Sequence, residues 1–305
     1  AQGPLSSGLL ERVERAAREF DVLVFFTYLY HPTVAGLPLA GRKSLLIPTA
    51  HDEPAIHFRI FRRVFESPTA IAFNSVEERD FVLSHFDVRA PYSDIVGCGV
   101  ELGGSPERLQ EERSAPDRPF VLYLGRIAKN KGVPHLVACF RRFKAENEQR
   151  YFEGAHGKYL GRELELVIAG SGETGLIQAN ADVRLAGFVS DAEKSNLLRD
   201  TEALMMPSFY ESLSLVTLEA FAWGRPVLAQ SRCAVTRGHI ERSGAGDTYA
   251  DEAEFSRKLS EMLGNAALRA ERGERGRAYV RANYAWEKVE SRLLRLLQLT
   301  AAAAR

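Results

Sequence analysis

The chain has 305 residues, 45% of them hydrophobic and 26% charged, enough apolar mass for a large core and for two globular units. Lysine plus arginine and aspartate plus glutamate both total 40, so the net charge of zero lacks the basic footprint of a nucleic-acid binder, and nucleic acid is not an expected partner. Cys98, Cys139 and Cys233 lie far apart without a CxxC pair, which argues against a disulfide framework or a thiolate zinc site and makes a reducing cytoplasm the default location.

From Ser6, the residues Leu9, Leu10, Val13, Ala16, Ala17 and Phe20 recur at three- and four-residue spacing and predict one helical face. With Glu11 and Glu14 within that pattern, these residues are not expected to be a signal peptide. The run DVLVFFTY then has the composition of a buried parallel strand, and it is far shorter than the roughly 20 residues a membrane-spanning helix needs. Strand-like runs follow at 44–47 and 69–73. After the second, Asn74, Ser75 and Glu78 carry a capping-box signature for a helix through Phe86. Between them FRIFRRVF sets Arg59, Arg62 and Arg63 beside aromatics, a pattern compatible with peripheral membrane contact and, more often, with a solvated helix face.

Gly103, Gly104, Ser105, Pro106, Pro116 and Pro119 among charges give residues 101–118 the composition of a linker. The expected division is a first domain at 1–100, the linker, a second domain at 119–284, and a C-terminal helix and tail at 285–305. Beyond the linker, strands are expected at 120–124, 164–169, 182–186, 203–206 and 226–229. Helices are expected at 132–146, after the capping pair Ser190 and Glu193, at 213–223, and at 265–283 and 286–299. Single helices between strands predict a parallel sheet covered on both faces, which binds ligands at strand carboxyl ends. Residues 149–161, with Tyr151, Phe152, His156 and Tyr159, fit neither period and read as an inserted surface loop.

Three stretches carry chemistry. Strand FVLYL runs into GRIAKNKG, which puts Arg126 and Lys131 where an anion would bind, without the GxGxxG of a dinucleotide fingerprint. Taken alone, these are ordinary surface charges. Gly170, Ser171 and Gly172 after the next strand permit close backbone approach. In MMPSFYESLSLVTLEAFAWGRPVLA, Glu211 precedes a helix and Glu219 lies within it. That helix's first turn, near Leu215 and Val216, offers free amides and a positive dipole end. Glu219 stands in an apolar stretch, where an unpartnered carboxylate is costly, so it is more than one exposed helix glutamate among many.

GRIAKNKG, the Gly-Ser-Gly loop and ESLSLVTLEAFAWGRPV, in this order, resemble glycosyltransferase family 4. The resemblance implies a retaining enzyme of the α/β GT-B fold, made of two Rossmann-like domains with parallel sheets and the active site between them. It implies diphosphate binding by Arg126, Lys131 and the backbone of Leu215 and Val216, ribose binding by Glu219, and base binding by the main chain at Val189. Glu211 and the backbone of Leu213 and Ser214 would hold the transferred sugar. LLIPTAHDEP resembles the strand and loop that place a histidine over that sugar, which nominates His51, with Glu211, for the catalytic step.

The sequence departs from the family's pattern in three places. Ser214 stands where the family commonly has glycine, QSRCAV lacks the usual small-residue pair, and the family's first strand and glycine-rich loop have no counterpart before Ala1. The first domain is therefore expected to be incomplete and turnover by this chain poor. The expected partners are a nucleotide-sugar donor and a glycan, lipid or small-molecule acceptor. No metal or other cofactor is expected, since the chain contains no Asp-x-Asp. A non-catalytic nucleotide-sugar-binding protein or subunit remains an alternative, and a nucleotide-dependent oxidoreductase is disfavoured by the missing GxGxxG.

Overall fold

The computed structural model describes residues 3, 6–103, 118–154 and 157–305; most of the expected linker, and His156, lie outside them. Contacts divide the chain into two compact units, Ala1–Gly99 with Trp286–Arg305, and Val100–Ala285.

The first unit runs α1 (Ser7–Glu19), β1 (Leu23–Phe26), α2 (His31–Ala40), β2 (Ser44–Ile47), α3 (Arg62–Glu66), β3 (Ala70–Phe73), α4 (Val76–His85) and β4 (Tyr92–Ile95). Its four strands pair in parallel in the order β1-β2-β3-β4. Successive strand side chains point to opposite faces. Leu46, Ile71 and Phe73 therefore join Tyr28, Phe61 and Phe65 on one side, while Leu45, Ala70 and Ala72 meet Val289 and Leu296 on the other. The last two belong to the chain's final helix (Trp286–Ala303), which returns to cover this second face.

Val13 of α1 packs on the first cluster, but Phe20 caps the helix in extended conformation and is 59% exposed. Phe58, Arg59, Ile60, Arg62 and Arg63 are exposed while Phe61, Val64 and Phe65 are buried, so FRIFRRVF is solvated on one side and core on the other.

The second unit contains β5 (Phe120–Leu124), α5 (Val133–Asn147), β6 (Tyr151–Gly154), β7 (Gly157–Leu160), β8 (Glu165–Ala169), β9 (Val183–Gly187), α6 (Asp191–Asp200) and β10 (Leu204–Met206). It continues with α7 (Leu215–Ala222), β11 (Val227–Gln230), α8 (Ala234–Ser243), β12 (Gly246–Tyr249), α9 (Glu252–Leu263) and α10 (Ala266–Asn283); the final helix of the chain is α11. Six parallel strands pair in the order β12-β11-β10-β5-β8-β9. The chain builds outward from β5 through β8 to β9, then crosses back to lay β10 on the other side of β5. The order thus reverses between β5 and β10, and such a reversal opens a crevice beyond the strand ends.

Residues 149–161 correct the expectation of a surface loop. β6 and β7 form an antiparallel hairpin, with Phe152 and Tyr159 buried, Phe152 packed on Phe143 of α5 and Tyr159 on Phe152. Each strand is four residues long and turns a single aromatic inward, too short a run for an alternating pattern to register.

Candidate nucleotide-sugar site

The loops after β5 and β8 are welded through their backbones. Gly125 N donates to Ala169 O at 3.0 Å, Ile127 N to Ser171 O at 2.9 Å and Glu173 N to Ile127 O at 2.8 Å. Gly170 has φ +144°, and a Cβ there would collide with the Gly125 carbonyl, so the contact requires glycine. These loops wall a cavity of about 550 Å³ at the sheet's switch point, within the second unit. The ends of β5, β8, β9 and β10 supply Arg126, Ser171, Val189 and Ser208, while α6 and α7 supply Lys194 and Glu219.

Charge inside the cavity is arranged in pairs. Lys131 Nζ lies 2.7 Å from Glu211 Oε1, with both side chains mostly buried. Lys194 Nζ lies 2.9 Å from Glu219 Oε1 and 3.2 Å from Asp191 Oδ1. Burial lowers the Lys194 pKa, but the hydrogen bonds and charges of Glu219 and then Asp191 outweigh it and hold the ammonium above its ordinary value. Arg126 is exposed and makes no ion pair among the described residues, which leaves a cation for an incoming anion. Tyr123 Oη donates to the Arg126 carbonyl at 2.8 Å. Burial, and then the charge of Glu211, push the Tyr123 phenol well above its usual range, so it stays a donor.

α7 opens at Ser214, a residue with φ 61° and ψ 65° whose hydroxyl bonds Thr217 Oγ1 at 2.8 Å rather than capping the backbone. The first-turn amides of Leu215 and Val216 have no intrahelical acceptor and sit at the positive end of the helix dipole. Both residues line the cavity. Three cations, a helix N-terminus and three carboxylates at a switch point suit a ligand carrying a diphosphate between hydroxyl-rich ends.

The family model for glycosyl transferases group 1 matches residues 105–279, more than half of the chain. The chain belongs to this family. An alpha-maltose-1-phosphate synthase of Mycolicibacterium smegmatis is 26% identical over 259 residues, 79% of this chain and 66% of that protein. The chain spans about half the length of the curated relatives it matches. Among solved structures, a sucrose-phosphate synthase from Thermosynechococcus elongatus aligns with a TM-score of 0.76 at 18% identity, covering 99% of this chain and 81% of that one. Anabaena Alr3699/HepE, solved in complex with UDP and glucose, aligns at 0.75 with 16% identity, covering 97% of this chain and 84% of that one. The fold is GT-B, with two Rossmann-like α/β units.

In this group 1 chain the cavity gathers Arg126, Lys131, Val189, Glu211, Ser214, Leu215, Val216 and Glu219. Leu213 is outside the lining; it is buried, and its carbonyl is turned away to His239 Nε2 at 2.8 Å. His51 lies in the first unit, after β2. Its Nε2 is 3.7 Å from Glu53 Oε2, and the other Glu53 oxygen accepts from the buried Tyr28 hydroxyl at 2.5 Å. The backbone just before it is strained, since Thr49 is a β-branched residue with φ 51°.

The loop holding His51 is tied to α4. Ser75 accepts from Glu78 N at 3.1 Å as the capping signature requires, but the Glu78 carboxylate reaches the amides of Ala50 and Asn74. Sequence reasoning missed Lys194, Asp191 and Phe188 in the cavity. Lys194 is one lysine on an ordinary helix face, and only the fold brings it to Glu219, 25 residues on. Among the described residues no helix is long and apolar enough to cross a membrane, and no three His, Cys, Asp or Glu side chains cluster as a metal-ligand set.

Proposed function

We propose that this protein transfers a sugar from a nucleoside-diphosphate donor to an acceptor hydroxyl, with retention of configuration and without a metal. The observation that carries the reading is the meeting at one switch point of Arg126, Lys131 and the α7 amides with Glu211 and Glu219. The cations and amides meet the diphosphate, Glu219 accepts from the ribose diol, and the main chain at Val189 meets the base. Glu211, shared with Lys131, accepts from a hydroxyl of the transferred sugar, and the Ser214 backbone flanks it. Because the Leu213 carbonyl is engaged by His239, Leu213 contributes through its amide.

In the chemical step the bond between the anomeric carbon and the diphosphate oxygen breaks, and its electron pair leaves with the diphosphate. Arg126, Lys131 and the first turn of α7 stabilise that growing charge. The acceptor oxygen bonds the anomeric carbon on the same face and passes its proton to the departing phosphate oxygen. His51 and Glu211 are the side chains assigned to this step. The acceptor is a glycan, a lipid or a small molecule.

A thermal-shift screen of UDP, GDP and ADP and their glucose conjugates tests the reading. A ligand present at about 100 times its Kd stabilises by about 2.7 kcal/mol, a shift of several degrees. No shift with any of them sinks the assignment of the cavity. NMR of the product's anomeric proton tests the stereochemistry, and an inverted product overturns retention while leaving the donor site standing.

A further inference from the structure

His239 of α8 is fully buried and contributes nothing to the cavity wall. Its Nε2 lies 2.8 Å from the Leu213 carbonyl oxygen and its Nδ1 3.0 Å from Tyr279 Oη. The rings of Tyr279 and Tyr284 meet it edge-on at 5.9 and 5.7 Å. A carbonyl only accepts, so Nε2 carries a proton. In the neutral ring Nδ1 then accepts from the Tyr279 hydroxyl, whose oxygen in turn accepts from Arg242 Nε at 3.3 Å. The donors all point one way, from the surface guanidinium through the tyrosine and histidine to the main chain.

The Leu213 carbonyl belongs to the same peptide plane as the Ser214 amide. From that plane Ser214 turns into the left-handed region, at φ 61°, and the next two amides are those of Leu215 and Val216. A serine held there is strained and persists only where its surroundings over-determine it. Its own hydroxyl is bonded to Thr217, so it does not hold the preceding plane. We infer that His239 is a positioning residue: it locks the 213–214 peptide plane so that a strained serine can aim the first amides of α7 at the donor's diphosphate. The inference rests on the nucleotide-sugar reading of the cavity.

The test is a double-mutant cycle between His239 and Ser214, read as nucleoside-diphosphate affinity by calorimetry. The probe is whichever of UDP, GDP and ADP binds the wild type most tightly. His239→Leu removes the lock and should weaken binding about 10-fold. His239→Gln, whose side-chain N–H can reach the same carbonyl, should stay within about 3-fold. Glycine occupies the left-handed region without strain, so in a Ser214→Gly background, measured against that variant's own affinity, His239→Leu should cost less than about 3-fold.

A residue that merely fills the core would cost the same in both backgrounds, and that result overturns the inference. So does wild-type affinity in His239→Leu, or a glutamine variant as weak as the leucine one. If His239→Leu does not fold, His239→Phe keeps an aromatic ring in the core and removes the N–H that holds the Leu213 carbonyl. It should weaken binding about 3-fold with serine at 214 and not with glycine, and equal affinities in the serine background overturn the inference. Failure of all three diphosphates to bind the wild type sinks the cavity's assignment first, and the positioning role with it.

Discussion

In both units polar side chains gather where parallel strands end, yet a carboxylate meets opposite fates there. In the second unit Glu211 and Glu219 stand partly open, each within 3 Å of a lysine ammonium. In the first, Glu78 is 1% exposed, makes no ion pair among the described residues, and accepts instead from the amides of Ala50 and Asn74. An ion pair at a cavity wall can exchange partners with a ligand at little cost, because water and mobile side chains already share it. A carboxylate sealed between two loops cannot be exchanged without opening both. The first arrangement suits recognition and the second suits holding the His51 loop against α4.

If the open carboxylates serve recognition, removing one should strike affinity before stability. Glu219→Ala deletes two charge-assisted hydrogen bonds to the ribose, worth roughly 1.5–3 kcal/mol, or about 10- to 150-fold in nucleoside-diphosphate affinity. Lys194 keeps Asp191 at 3.2 Å after the change, so no buried cation is orphaned and the melting temperature should hardly move. Unchanged nucleotide affinity would end the ribose assignment.

The sealed carboxylate should behave in reverse. Burial, opposed by the Asn74 and Ala50 amides, raises the Glu78 pKa to about 8, whereas the unfolded chain titrates near the ordinary glutamate value. Between these pH values the folded state holds a proton that the unfolded state has lost. The contribution of Glu78 is therefore fully present below the unfolded value and lost as pH rises through about 8. Melting temperature should fall from pH 5 to pH 8, and Glu78→Gln should flatten that slope while lowering stability by about 1–3 kcal/mol at pH 5. Equal slopes in wild type and variant would show that the carboxylate is not the titrating group. Nucleoside-diphosphate affinity, read in the second unit, should not change.

The same contrast explains how much could be read from the sequence. FVLYL is β5 because a central parallel strand is apolar on both faces, and Ser190 with Glu193 closes a full capping box because all its atoms lie within one turn. The edge strands β4 and β12, YSDI and GDTY, escape such reading, since an edge needs no continuous apolar run. In the site, the cations after β5 and the two glutamates announce themselves by their place at strand ends. Lys194 and His239 do not, because each matters only through a partner about 25 residues away. Ser75 and Glu78 have the letters of a capping box, but the carboxylate had a better offer from Ala50, which no local pattern contains.

The smallest expected effect concerns the charge that the donor brings. A diphosphate entering the cavity carries negative charge into a site that already holds Glu211 and Glu219, and something must compensate it. Arg126 has no carboxylate partner among the described residues, Lys131 can be shared between Glu211 and phosphate, and the α7 amides add the positive end of a helix dipole. These groups line the cavity before the ligand arrives, so a metal ion has little left to neutralise. Nucleoside-diphosphate affinity in EDTA should therefore lie within about twofold of that in magnesium, a difference below about 0.5 kcal/mol. A loss of about 10-fold in chelator, restored by magnesium or manganese, would mean that Glu211 or Glu219 gives up its lysine to ligate a metal. The open pairs would then be a metal site held shut by lysines, and the contrast with Glu78 would have to be drawn on different terms.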